Sequence, residues 1–259
     1  MKNAELPRFP SEVITLPSKG FYYPADSPLS SGQIEIRYPT ARDEDILTSR
    51  NLIQKGIVLD KFMQSIIVSD FDYNDLLLGD KNGIMIAARI LAYGENYEVK
   101  INCPKCGEGV EDVIDLSLLE SKNIKFDEEQ KFTQEFEYEL PKSKVKIKIK
   151  LLTHRDYKNI EAELKSLKKF AKKDSVNKEV TTRLKYAIVE VDGNRENNKI
   201  RTFVENELLS QDSFAVREKI SEITPDMDTT YSFNCDSCGH EEVIEVPMGV
   251  RFFWPSSRI

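Results

Sequence analysis

Cys103, Cys106, Cys235 and Cys238 are the only cysteines among the 259 residues, and they form two Cys-x-x-Cys pairs. The local setting repeats: Val99-Lys-Ile-Asn-Cys-Pro-Lys-Cys-Gly-Glu-Gly-Val110 is matched by Tyr231-Ser-Phe-Asn-Cys-Asp-Ser-Cys-Gly-His-Glu-Glu-Val243. In each, an alternating strand enters, a Cys-x-x-Cys-Gly turn follows and a second strand leaves. Thiolates at this spacing ligate a soft cation, and Gly107 and Gly239 give the backbone freedom needed where the turn wraps it. Two such knuckles facing each other make a closed four-cysteine site, so the spacing predicts one structural Zn2+ per chain. A redox dithiol is the competing chemistry, but that motif opens a helix and neither copy here does. A catalytic zinc needs an open coordination position, which four thiolates do not leave. His240 lies two residues past Cys238 and is expected beside the site or in solvent rather than as a ligand.

The knuckles are far apart in sequence. The ribbon closes only if everything between Cys106 and Cys235 is an insertion whose ends return to one place, with the metal fastening the chain's middle to its end. The other motifs that carry chemistry are missing. There is no glycine-rich phosphate loop, no Gly-x-Ser-x-Gly and no His-Glu-x-x-His. His154-Arg155-Asp156 matches a kinase catalytic-loop fragment without its companions and is expected to be a helix start, with His154 a local contact or solvated. The chain is expected to be non-enzymatic.

The elements that must position the cysteines read as an α+β fold. The chain is 40% hydrophobic and 31% charged with net charge −7, has no apolar run approaching the ~18 residues of a membrane span, and lacks a signal-peptide core at its start. Its thiols should therefore meet a reducing compartment, which favours metal over disulfide. Residues 1–32 carry five prolines and the aromatics Phe9, Phe21, Tyr22 and Tyr23. They are expected to run as an extended arm, packed on its own body or docked on a neighbour, and the docking case implies a role outside its own fold.

Residues 33–95 read as a mainly helical domain. It holds a strand at Ile34–Tyr38, a helix capped by Thr40, a helix over Leu59–Val68 and an almost wholly apolar helix over Asp80–Tyr93. Residues 96–116 and 228–248 are the two ribbon halves. Residues 117–227 hold an inserted β-hairpin, Phe132–Leu140 with Lys144–Leu151, and helices over Thr153–Lys173, Lys178–Glu190, Lys199–Leu209 and Ser213–Ile223.

Four strings carry a resemblance. Leu16-Pro-Ser-Lys-Gly20 with Tyr23-Pro24, Tyr38-Pro-Thr-Ala-Arg-Asp-Glu-Asp-Ile-Leu-Thr-Ser49, Leu78-Gly-Asp-Lys-Asn-Gly83 and Ala87-Ala-Arg-Ile-Leu-Ala-Tyr-Gly94 resemble the baseplate hub subunit family of T-even-type (myovirus) contractile-tailed bacteriophages. The likeness covers residues 14 to 115. It implies a non-enzymatic protein that helps build the hub of the tail baseplate, with other hub or tail proteins as partners. Such a protein acts in the host cytoplasm during assembly or stays in the virion tail.

Charge offers one alternative. Between Pro141 and Lys185 there are fifteen Lys and Arg against five Asp and Glu, a local +10 that leaves −17 on the rest. A zinc-ribbon nucleic-acid-binding protein is the second reading. Against it, the Val145–Leu151 strand has no interleaved exposed aromatics, and its lysines face Glu135, Glu137 and Glu139 on the partner arm, so nucleic acid is not the expected ligand.

Overall fold

The computed structural model describes residues 10–170 and 176–253. The described residues open on β1 (Ser11–Thr15), a turn through Lys19 and Gly20, and a short 3-10 segment at Pro28–Ser31 that returns the chain to β2 (Gln33–Arg37), antiparallel to β1. Helices α1 (Ala41–Thr48), α2 (Arg50–Lys55), α3 (Val58–Ile66) and α4 (Leu78–Tyr93) follow. The α1 start is local chemistry: Thr40 N and Oγ1 both donate to Asp43 Oδ2 at 2.8 Å. Asp43 also receives Arg37 and the Ser65 hydroxyl. Burial pushes its carboxyl up, but these donors win and hold it well below the usual range, which ties β2, α1 and α3 together.

Residues 10–32 pack on the chain's own core, the first of the two arrangements expected of the N-terminal stretch. Leu16, Tyr22, Tyr23 and Leu29 are each 1% exposed and belong to the main core with α3 and α4. Tyr22 packs edge-on against Phe21 and Phe136. The Tyr23 hydroxyl donates to Asp80 Oδ2 at 2.7 Å and accepts from Leu77 N at 2.9 Å, while Ser18 N and Oγ donate to the same carboxylate. Prolines spoke against helix and central strand here without deciding where the segment lies; the hydrogen bonds from Ser18 and Tyr23 to Asp80 hold it on the first turn of α4. Residues 1–9, Phe9 among them, lie outside the described residues.

Strands β3 (Asn96–Asn102) and β4 (Gly109–Asp115) form one antiparallel hairpin. Strands β5 (Glu135–Glu139) and β6 (Lys146–Lys150) form the next, in the expected register, with Glu137 opposite Lys148. Helix α5 (His154–Phe170) follows, its first turn closed by Thr153 N and Oγ1 donating to Asp156 Oδ2; the end expected near Lys173 lies outside the described residues. Helix α6 (Glu179–Ala187) ends sooner than its periodicity predicts, because Ile188 to Val191 leaves it as β7 and pairs with the open edge of β6, making a three-stranded sheet. Helix α7 (Asn197–Thr202) passes into a π turn at Phe203–Glu207 rather than running on to Leu209, and α8 (Ser210–Ile223) completes the helical set. The last hairpin is β8 (Thr230–Asn234) with β9 (Glu241–Glu245).

His154 departs from the expectation of a local or solvated residue. It is 1% exposed and sits between α3 and α4: Asp60 Oδ2 lies 3.4 Å from its Nε2 and Lys81 Nζ 3.4 Å from its Nδ1, with the Tyr73 ring edge-on. Burial, then the Lys81 charge, pulls the imidazole down to about 4, so it is neutral at pH 7. Part of the basic stretch is matched from within: Lys148 lies between Glu137 and Glu190, Lys150 meets Asp156, and buried Lys185 meets Glu163 and Glu205.

Candidate metal centre

Each knuckle is built by the same hydrogen bonds. Cys103 N donates to Glu108 O at 2.8 Å and Gly107 N to Cys103 O at 2.8 Å; Cys235 N donates to His240 O at 2.9 Å and Gly239 N to Cys235 O at 2.8 Å. The reversal requires left-handed backbone at the residue after the second cysteine, where φ is 77° at Gly107 and 63° at Gly239. Both turns therefore follow from a local sequence signal, and their strands supply an apolar floor of Phe233, Ile101, Val110, Tyr231 and Ile244.

Bringing the two knuckles together is a tertiary matter. The segments that leave the first hairpin and enter the second run antiparallel: Ser121 bridges Met227, Lys122 N donates to Asp226 O at 2.8 Å, and Asp228 N donates to Glu120 O at 2.7 Å. Asn82 on α4 reaches Asp226 at 2.9 Å. Gly79 lets α4 lie against this crossing, since a Cβ there would sit 1.7 Å from the Pro225 carbonyl oxygen. On the other side, Tyr97 donates to Pro247 O at 3.0 Å and its ring meets Phe252. Arg89, 3% exposed, holds Phe252 O, Gly94 O and Asn96 O together. Sequence reasoning did not single out Arg89, Tyr97 or Phe252; nothing in their local spacing marks them, because their partners are distant in the chain.

The result places all four predicted cysteines in one group, with every Sγ within 4.8 Å of the others. Cys103 Sγ is 3.8 Å from Cys238 Sγ and Cys106 Sγ 3.7 Å from Cys235 Sγ. These separations are far beyond the ~2.05 Å of a disulfide, and all four thiols are free. Cys103 and Cys235 are buried; Cys106 and Cys238 lie toward the surface. His240 stays outside the four sulfurs, with its ring 3.2 Å from Glu242.

The electrostatics of the group are compatible with a bound cation. Burial opposes ionisation of Cys103, yet the amides of Cys106 and Lys105 directed at its sulfur bring it down to about 6. The Glu108 amide favours the Cys106 thiolate in the same way, but burial and the neighbouring thiols push Cys106 up to about 12. One thiolate forms easily and the next is resisted, an opposition that a bound cation removes.

The fold and site thus define an α+β protein whose four cysteines could hold one metal ion and fasten the chain's middle to its C-terminal part. The sequence matches the family model described as T4 bacteriophage base plate protein over residues 21–254, and the chain belongs to that family. No curated protein and no solved structure matches it. Among the described residues no helix is long and apolar enough to cross a membrane.

Proposed function

We propose that this chain is a non-enzymatic structural or assembly protein of the phage tail baseplate hub. It acts through contacts with other hub or tail proteins and is stabilised by one structural zinc on Cys103, Cys106, Cys235 and Cys238. Family membership across residues 21–254 supports a place in the baseplate, reached through assembly in the host cytoplasm. The single observation that carries the metal reading is the sulfur geometry. Four sulfurs at about 2.3 Å from a tetrahedral zinc stand about 3.8 Å apart; two of the cross-knuckle separations are 3.7 and 3.8 Å, and all the sulfurs lie within 4.8 Å of one another. Zinc supplies charge neutralisation and a rigid link here, with no ligand position left for substrate chemistry.

The experiment is twofold. Elemental analysis of protein purified without added metal should return one zinc per chain. Co-expression with the other tail proteins of its phage should bring the chain into a subassembly that survives gel filtration. Absence of stoichiometric metal refutes the zinc, whereas metal-loaded protein that joins no tail protein refutes the hub role.

A further inference from the structure

Two surfaces of this chain are complementary. Between α6 and α8 lies a groove of about 480 Å³ whose apolar floor is Leu152, Val180, Leu184, Ala187 and Ile220, with Asn177, Glu179, Arg183 and Arg217 at its border. Glu179 takes up Arg183 at 3.0 Å, which leaves Arg217 as the border cation free to meet a partner. Exposed apolar side chains crowd it: Val180 is 45% and Phe214 on α8 53% exposed. Single exposed hydrophobics are ordinary, but grouped around a groove they mark a contact surface. Arg217 touches the Ser213 carbonyl and the Phe214 ring, and among the described residues no carboxylate pairs with it. Helix α5, packed against α6, adds exposed Lys165, Lys168 and Lys169.

The second surface is the ribbon. Its two outgoing strands repeat one pattern, Glu111-Asp-Val-Ile-Asp115 in β4 and Glu241-Glu-Val-Ile-Glu245 in β9. Strand alternation puts Glu111, Val113 and Asp115 on one face, and Glu241, Val243 and Glu245 likewise, while Ile114 and Ile244 turn inward. Val113 is 58% exposed and Val243 65%. Each knuckle thus displays a valine between two carboxylates. The two ribbon segments, 96–116 and 228–248, carry ten Asp and Glu against two Lys. An apolar groove with the unpaired Arg217 at its border is matched, on the same chain, by an apolar point bordered by anions.

We propose that the groove is occupied by a second copy of this chain: the valine-and-carboxylate face of one copy's ribbon docks between α6 and α8 of the next. A nucleic acid would meet cations at the border, but the floor of Leu152, Val180, Leu184, Ala187 and Ile220 offers no aromatic face for a base and no donor for a phosphate. The chain's own segment 171–175, Ala-Lys-Lys-Asp-Ser, has no large apolar side chain to fill it. Because the two surfaces differ, the contact is head-to-tail, so it continues into a ring or a filament rather than stopping at a symmetric dimer. This inference goes beyond the baseplate reading and stands or falls separately from it.

Sedimentation velocity on the purified full chain tests it. Reversible, concentration-dependent association is expected over about 1–100 μM, weakened about tenfold or more when salt rises from about 50 to about 500 mM. Arg217→Glu, or Val180→Asp as a second groove variant, should weaken it by about tenfold or more, and so should Val113→Lys combined with Val243→Lys. All these positions are exposed or partly exposed, so far-UV circular dichroism melts should stay unchanged. The decisive step mixes a groove variant with the ribbon variant. Each keeps one intact surface, so a one-to-one pair should form and grow no further. A monomer throughout the concentration range, association indifferent to both variant sets, or no complex on mixing overturns the proposal.

Discussion

Tyr23→Phe removes a single oxygen, and its effect decides whether the proline-rich N-terminal stretch is part of the core. That oxygen makes two buried hydrogen bonds, donating to Asp80 Oδ2 at 2.7 Å and accepting from Leu77 N at 2.9 Å. Leu77 is 1% and Asp80 0% exposed, so water does not replace the lost partner. A hydrogen bond to a charged acceptor contributes about 1.5–3 kcal/mol and an orphaned buried N–H costs about 1–3 kcal/mol, giving a loss of about 3 kcal/mol. For a chain of this size that is a fall in Tm of about 6–12 °C.

The loss carries a pH signature. Burial already raises the Asp80 carboxyl above its ordinary value, opposed by Ser18 and Tyr23. Removing Tyr23's donor raises it further. A carboxyl whose folded pKa is raised contributes stability at low pH that is lost as pH rises, so the penalty should be larger at pH 8 than at pH 5. Urea unfolding followed by circular dichroism at both pH values measures it. Tyr22→Phe, at a ring held by Phe21, Phe126 and Phe136, is the control and should change stability by less than about 1 kcal/mol. A Tyr23→Phe loss below about 0.5 kcal/mol, or a 33–259 truncation that melts like the full chain, refutes the reasoning.

Cys235→Ser should abolish stoichiometric metal and collapse the dispersion of the NMR signals of residues 96–116 and 228–248 while the signals of α3 and α4 keep theirs; unchanged signals from the two hairpins count against the metal link. His154 should remain neutral down to about pH 4, read from its imidazole carbon shifts. Since its folded pKa is depressed, the folded state binds fewer protons than the unfolded between about pH 6.5 and 4. Stability should therefore fall as pH drops through that window, and His154→Gln should flatten the slope. With Lys148 and Lys150 engaged by carboxylates, nucleic-acid binding at physiological salt should be no tighter than about 1 μM, and Lys148→Glu should leave it unchanged in a fluorescence anisotropy titration.

The sequence alone determined whatever is written in short-range spacing. The two Cys-x-x-Cys-Gly turns, the Thr40 and Thr153 helix starts, the apolar α4 and the β5–β6 hairpin each depend on residues no more than about fifteen positions apart. Tertiary structure decided the rest. Ile188–Val191 fits the periodicity of a continuing helix, and it becomes a strand because the open edge of β6 stands beside it with unpaired backbone groups. His154 is buried because Asp60 and Lys81 arrive from other helices to meet both ring nitrogens. The prolines of the first 32 residues spoke only against helix and central strand; the Asp80 carboxylate, some 60 positions away, is what draws Ser18 and Tyr23 inward. The two knuckles could be recognised separately, but their approach to within 4.8 Å rests on the 120–122 and 226–228 crossing and on Arg89, contacts whose partners are far apart in the chain and so leave no local pattern.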